Sequence, residues 1–280
     1  MPATATRDIA ELKRISTDLR VKIIELLVKA GSGHPGGSLS EIDILTCLYF
    51  GGVLRYRADE PSWPDRDRFV LSKGHCTPGW YSTLARAGYF PDEWLMTFRK
   101  LGSPLQGHPD RTRTPGVEAS TGSLGQGISM AIGMAIAGKL DDAPWRVYCM
   151  VGDGESESGQ VWEAAMAAPK FGLDNFCVIV DNNQVQQTEL VETIMDLQPI
   201  AEKYRAFNWN AIEIDGHDHA AVLDAFDHAA STKGKPTAIV AHTIKGKGVS
   251  FMELNPAWHG KAPSKEEGDR AIAEILGGQR

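Results

Sequence analysis

Two acid–amide clusters, Gly152-Asp153-Gly154 and Asp181-Asn182-Asn183, each follow an apolar run rich in β-branched residues. The Asp153 carboxylate and the Asn183 amide oxygen make a hard donor pair. Such a pair suits Mg²⁺, or Ca²⁺ as a substitute, with the remaining positions filled by a phosphorylated ligand. Gly154 lets the backbone come close to a phosphate. A helix opening near Gly159 would point its free N–H groups the same way. The runs Val147 to Val151 and Phe176 to Val180, with a helical pattern between them, predict one βαβ unit. Both clusters then fall at the carboxyl ends of neighbouring parallel strands, where open α/β sheets bind ligands.

Four of the eight histidines, His34, His75, His108 and His259, lie in Gly/Pro loops. One loop histidine alone reads as a cap or a solvated side chain. Four in similar loops carry more weight, because imidazole moves protons near neutral pH and hydrogen-bonds sugar hydroxyls. His242 ends an apolar strand and reads as a satisfied core histidine. His217 and His219 flank a strand-to-helix turn, where capping is expected, and His228 sits on a helix face.

The elements that must position these groups follow from periodicity. Residues 8–29 carry apolar residues at helical spacing and end at Gly31-Ser32-Gly33. The HPGGS stretch reads as a loop, with Ser40 and Asp43 as a capping box for a helix to about Phe50. Arg68 to Leu71 reads as a strand, Pro78 to Ala87 as a helix, and 101–120 as a long irregular segment of the functional kind. Ser123 to Leu140 reads as a Gly-containing helix. Strands at 210–214 and 237–242 then flank a helix at 218–231, and a charged helix, 264–276, closes the chain. Alternating strands and helices predict an α/β fold, a doubly wound and mostly parallel sheet with helices on both faces. No second domain is visible in the 280 residues.

Net charge is −7, which gives no broad footprint for nucleic acid or an anionic membrane. Arg111 and Arg113 read as a solvated patch in a Pro-flanked loop. Cys47, Cys76, Cys149 and Cys177 lack metal or redox spacing; Cys149 and Cys177 fall in apolar runs and read as buried thiols of a reducing cytosol. No signal-type apolar region opens the chain and no segment has the length of a membrane span. The expectation is a soluble cytoplasmic protein.

GDG followed by NN beyond an intervening helix resembles the thiamine-diphosphate motif, and the wider text resembles the amino-terminal half of a transketolase. SGHPGGSLS (32–40), LSKGH (71–75), QGHPD (106–110), STGSLGQGIS (120–129), VWEAAMAA (161–168), DGHD (215–218), IKGKGVSF (244–251) and WHGKAP (258–263) all resemble that family, in order. The resemblance implies a thiamine-diphosphate-binding fold over 1–280, with Asp153, Asn183 and the carbonyl of Val185 as metal ligands and Gly154 at the diphosphate. It implies that Gly122, Ser123 and Leu124 line the cofactor rings. It further implies that His34 and His108 face the sugar and that His75 and His259 touch both cofactor and substrate. Lys245 matches a lysine near the cofactor; the competing reading is a solvated surface charge.

One position departs from the family pattern. The glutamate usually found five residues after the Asp is Ser158 here, with Glu155 and Glu157 nearby. In the family that glutamate links two cofactor sites across a subunit interface, so that link is in doubt. The stretch DNNQVQQTE also lacks the Gly that often follows soon after.

The resemblance implies transfer of a two-carbon ketol unit from a ketose phosphate to an aldose phosphate, with thiamine diphosphate and Mg²⁺. The pyrimidine-binding domain of the family has no counterpart here. The expectation is therefore one natural subunit of a split, α₂β₂ transketolase whose partner is a carboxy-terminal subunit. Two alternatives stand beside it. An α-subunit of a 2-oxo acid dehydrogenase shares the motif and the split, but has no polyol for several histidines to bind. A cofactor-binding scaffold without catalysis is supported mainly by Ser158. Deoxyxylulose-phosphate synthase is normally one long chain, and the length here weighs against it.

Overall fold

The computed structural model describes residues 5–278. Five strands, β1 (Arg68–Leu71), β2 (Val147–Gly152), β3 (Phe176–Asn182), β4 (Asn210–Asp215) and β5 (Thr237–His242), form one sheet in the order β1-β2-β3-β5-β4. Every pairing is parallel. All positions of β2 and β3 are buried, as expected for central strands covered on both faces.

Side chains alternate between the two faces. Tyr148, Met150, Cys177, Ile179 and Ile239 join the layer built with α1 (Ile9–Ala30), α2 (Pro35–Phe50), α3 (Thr77–Ala87), α8 (His219–Ser231) and α9 (Lys265–Gly277). Val147, Cys149, Val151, Val178 and Val180 join the opposite layer, with α4 (Gln126–Leu140), α5 (Gly159–Lys170) and α7 (Ile200–Ala206). A short α6 (Val191–Met195) precedes α7. Helices on both faces of a parallel sheet bear out the doubly wound α/β expectation.

Helix ends follow local chemistry. The Asp8 carboxylate accepts from the Ala10 N–H at 2.9 Å to start α1, and Gly31 at φ 65° closes it. Ser264 and Glu267 form a reciprocal capping box for α9. The Ser40–Asp43 capping box does not exist. Helix α2 begins six residues earlier, at Pro35, because proline suits the first helical position and Gly36 and Gly37 suit close packing. A Cβ on Gly37 would collide with the Cys76 sulfur. Helix α4 likewise starts at Gln126 rather than Ser123, since Gly125 at φ 85° ends the preceding loop.

Ile179, at the centre of β3, is fully buried among α-layer side chains. Ile179→Ala is expected to cost ~2–5 kcal/mol and Ile179→Val about 1 kcal/mol. Urea unfolding followed by circular dichroism measures both, and a loss below that range for the alanine variant would place Ile179 outside the core.

Candidate active site

At the carboxyl edge of the sheet, the ends of β2 and β3 bring Asp153 and Asn183 to one cavity of about 290 Å³. The Asp153 carboxylate accepts from the N–H of Gly154 at 2.8 Å and of Gln184 at 2.5 Å. Burial, aided by the charge of Asp181, pushes its pKa up to about 7. The Asn183 side chain donates to Asp181 at 3.0 Å and to the Ser40 hydroxyl at 3.3 Å, which assigns its NH₂ to the interior. Its oxygen turns the other way and accepts from the Val185 N–H at 3.3 Å.

Lys245 is 3% exposed, so the surface-charge reading fails. The loop after β5 carries it inward, and its ammonium donates to the Val185 carbonyl at 2.6 Å and the Gln186 carbonyl at 3.2 Å. Burial lowers its pKa to about 8. It also donates to His259 Nδ1 at 2.8 Å. An ammonium offers only protons, so His259 Nδ1 carries a lone pair and its proton sits on Nε2.

Three imidazoles form a triangle beside this cation. Ring centroids are 5.0 Å apart for His34 and His75, 5.3 Å for His34 and His259, and 5.1 Å for His75 and His259. Burial first, then nearby cations, lowers His34 to about 4 and His259 to about 3, and holds His75 well below its usual value. All three are neutral at pH 7. His108 stands beside the group against Gly122, where a Cβ would meet its ring at 2.5 Å; burial and Arg99 lower it too. Arg99 reaches toward His34 Nδ1 at 3.5 Å.

The cavity thus gathers His34, His75, His259, Gly122, Leu124, Asp153, Gly154, Asn183, Val185 and Lys245. A second hollow continues past His34 and His259 toward Gly260 and Lys261. Ser123 does not line the cavity and lies exposed on its rim. Helix α5 opens at Gly159 as expected, but Gly159 does not line the cavity, which the preceding 3₁₀ turn, Gly154–Glu157, reaches instead. Gly154 closes against Gln186 rather than against open space.

Other histidines fall differently from expectation. His242 is not a core residue: its side chain is 47% exposed, pairing with Glu213 at the end of the edge region. His217 and His219 do not cap; Asp218 caps α8, and both imidazoles turn inward to Asp43 and Ser16. Sequence reasoning gave no role to Asp181, Lys73 or Glu155. Lys73 donates to Asp181 at 2.5 Å and lies 2.8 Å from Glu41. That second contact is off the hydrogen-bonding direction, and both Glu41 oxygens lack a hydrogen-bond donor. Glu155 accepts from Ser72 and from the N–H groups of Gly125 and Gly152, tying three loops together. A charged residue continuing an apolar strand was the available signal for Asp181.

The donors fit a hard divalent cation: one carboxylate, one amide oxygen and a carbonyl that already draws an ammonium. Among the described residues no cluster of three His, Cys, Asp or Glu side chains offers a thiolate or imidazole metal site.

Neutral buried imidazoles also set an acid limit. The unfolded chain protonates His34 near its ordinary pKa of 6.5, whereas the folded chain does so only near 4. Stability present above pH 6.5 is therefore lost as pH falls toward 4. The melting temperature should decline over that window, and His34→Gln should flatten the decline. An unchanged slope in the variant would mean that His34 is not held neutral.

The profile of the family "Transketolase, thiamine diphosphate binding domain" matches residues 12–279. The chain is 43% identical over 265 residues to the 6-deoxy-6-sulfo-D-fructose transketolase subunit SqwG of Clostridium sp. (strain MSTE9), covering 95% of this chain and 96% of that one. It is 40% identical over 256 residues to an apulose-4-phosphate transketolase subunit of Phocaeicola vulgatus, covering 91% and 90%. Against rat transketolase it is 42% identical over 265 residues, covering 94% of this chain but 42% of the relative. The transketolase structure from Campylobacter jejuni superposes with TM-score 0.91 at 33% identity, over 96% of this chain and 43% of that one. The chain therefore spans nearly the full length of the relatives named as subunits and less than half of the rat and Campylobacter transketolases. It belongs to the family of transketolase thiamine-diphosphate-binding domains.

Proposed function

We propose that this chain is the cofactor-holding half of a two-chain transketolase, which moves a two-carbon ketol unit from a ketose phosphate to an aldose phosphate. The observation that carries the reading is the triangle of neutral imidazoles set directly beside the Asp153–Asn183 pair. Asp153, Asn183 and the Val185 carbonyl would hold Mg²⁺, and Lys245 would add positive charge at the diphosphate. Thiamine diphosphate, when bound, would supply a nucleophilic ylid carbon and a cationic ring able to accept the electron pair released when the sugar's carbon–carbon bond breaks.

The chain's own residues then bind and move protons. His259, fixed as the Nε2–H tautomer by Lys245, donates a hydrogen bond to a ligand oxygen. His34 and His75, kept neutral by burial and by the repulsion that Lys245 and other cations would exert on an imidazolium, can hydrogen-bond sugar hydroxyls and accept a proton only transiently before passing it on. His108, at the outer side of Gly122, would meet the hydroxyls further along the ketose. Glu155 stands within the turn, but it is committed to Ser72, Gly125 and Gly152, so it does not replace the glutamate absent at position 158.

A partner chain is part of the proposal. Leu124, which lines the cavity, and Met130 on α4 and Met166 on α5 are large apolar side chains left exposed. Exposed apolar side chains of this kind fit a protein partner, here a carboxy-terminal subunit carrying the pyrimidine-binding domain, in an α₂β₂ assembly. Four buried free thiols fit a reducing cytoplasm, and no helix among the described residues is long and apolar enough to cross a membrane. The imidazole triangle disfavours the 2-oxo acid dehydrogenase alternative, whose substrates have no polyol to bind.

Ketol transfer between phosphorylated sugars, assayed with Mg²⁺ and thiamine diphosphate, tests this reading. Activity should require this chain together with its carboxy-terminal partner and fall at least about a thousandfold in Asp153→Ala, as expected when a metal's charge is lost from a reacting site. Robust activity of this chain alone, or a fully active Asp153→Ala, would overturn it.

A further inference from the structure

We propose that His217 is a positioning residue for Lys245, acting through the backbone of Ile244 in a relay that begins on α1. The inference rests on the proposed role of Lys245 at the diphosphate. It concerns residues that do not themselves line the cofactor cavity.

Hydrogen-bond polarity fixes the relay. The Ile244 N–H donates to His217 Nε2 at 2.9 Å. A backbone N–H can only donate, so Nε2 carries a lone pair and the ring proton lies on Nδ1. Nδ1 stands 2.8 Å from Asp43 Oδ2 and donates to it. Asp43, buried on α2, is gripped on its other side by Arg20 of α1, whose two terminal nitrogens lie 2.9 and 2.5 Å from the two carboxylate oxygens. Burial opposes that charge, but Arg20 and His217 hold the Asp43 carboxyl far below the usual range. The order is thus Arg20, Asp43, His217, then the Ile244 N–H, each link with one permitted direction.

The far end of the relay delivers Lys245. Gly216 brings this segment close to the loop after β5: its N–H donates to the His242 carbonyl at 2.8 Å, and a Cβ there would collide with the Thr243 methyl. The next peptide after Ile244 carries Lys245, whose ammonium meets Val185 and His259 at 2.6 and 2.8 Å. A rotation of the 243–244 peptide, whose N–H His217 holds, would redirect the chain one residue before Lys245 and move that ammonium away from both. The tautomer of one imidazole outside the cavity therefore sets the place of the cation inside it, and through that cation the tautomer of His259.

Nitrogen-15 NMR of the histidine-labelled full chain at about pH 7.5, where a free imidazole is neutral, tests the relay directly. His217 should show a protonated Nδ1 and an unprotonated Nε2; the reverse tautomer would overturn the proposal. In the enzyme assembled with its partner, His217→Phe removes both hydrogen bonds and keeps a flat ring. It should speed hydrogen exchange at the Ile244 amide and raise the thiamine diphosphate concentration for half-activity roughly 10- to 100-fold, the usual reach of a residue behind a ligand. His217→Gln, which carries one donor and one acceptor, should restore most of both. A purely structural role would lower the melting temperature while leaving cofactor half-saturation unchanged, and that result would also overturn the relay. The tautomer and the Ile244 exchange decide it even in a chain that binds no cofactor, an outcome that would instead overturn the proposed function.

Discussion

The carboxylate of Asp181, at the end of β3 and fully buried, is the point on which the site depends. It accepts from Lys73, from the hydroxyls of Ser40 and Thr243, and from the Asn183 amide. Those donors come from the loop after β1, from α2, from the segment after β5, and from β3's own extension. Burial opposes ionisation, yet Lys73 outweighs it and keeps Asp181 below the usual carboxylate range. Removing one member of such a cluster leaves an uncompensated charge, which costs ~3–5 kcal/mol. Glu41 also approaches Lys73, and its complete burial, with the charge of Asp181, raises its pKa above the usual carboxylate range despite that cation.

From this anchor the site is built outward. Asp181 orients the Asn183 amide so that its oxygen turns away from the interior. Glu155 ties the Gly152 and Gly125 backbones to Ser72, and Lys245 fixes His259. Groups held this way need little reorganisation when a ligand arrives, which is where an active site gains most. Burial of His34, His75 and His259 keeps three imidazoles uncharged within about 5 Å of one another, an arrangement that mutual repulsion would otherwise break.

Much of this is legible in the sequence, for specific reasons. The strands at 147–151 and 176–180 are long β-branched runs, and the residues that follow them are the ones suited to a metal. The loop histidines stand out through their Gly/Pro surroundings. Position along the chain does not show that Lys73 lies against Asp181, more than one hundred residues away, or that His217 reaches Asp43. The first pairing joins the loop after β1 to the end of β3 and the second joins the segment after β4 to α2, so both are set by tertiary packing. The start of α2 departs from expectation because glycines normally break helices, whereas here Gly36 and Gly37 give Lys245 and Cys76 room. His242 departs from it because strand membership does not reveal which end faces solvent.

The chain has the length of relatives named as transketolase subunits, and its cavity brings Asp153 and Asn183 together with an imidazole cluster, the arrangement that the proposed cofactor and metal would use. Crystals of the assembled enzyme grown with Mn²⁺ and thiamine diphosphate would test that claim most directly, through the anomalous signal of the metal. The account predicts a single strong peak within coordination distance of Asp153, Asn183 and the Val185 carbonyl. A peak elsewhere, or cofactor bound with no metal at this position, would contradict it.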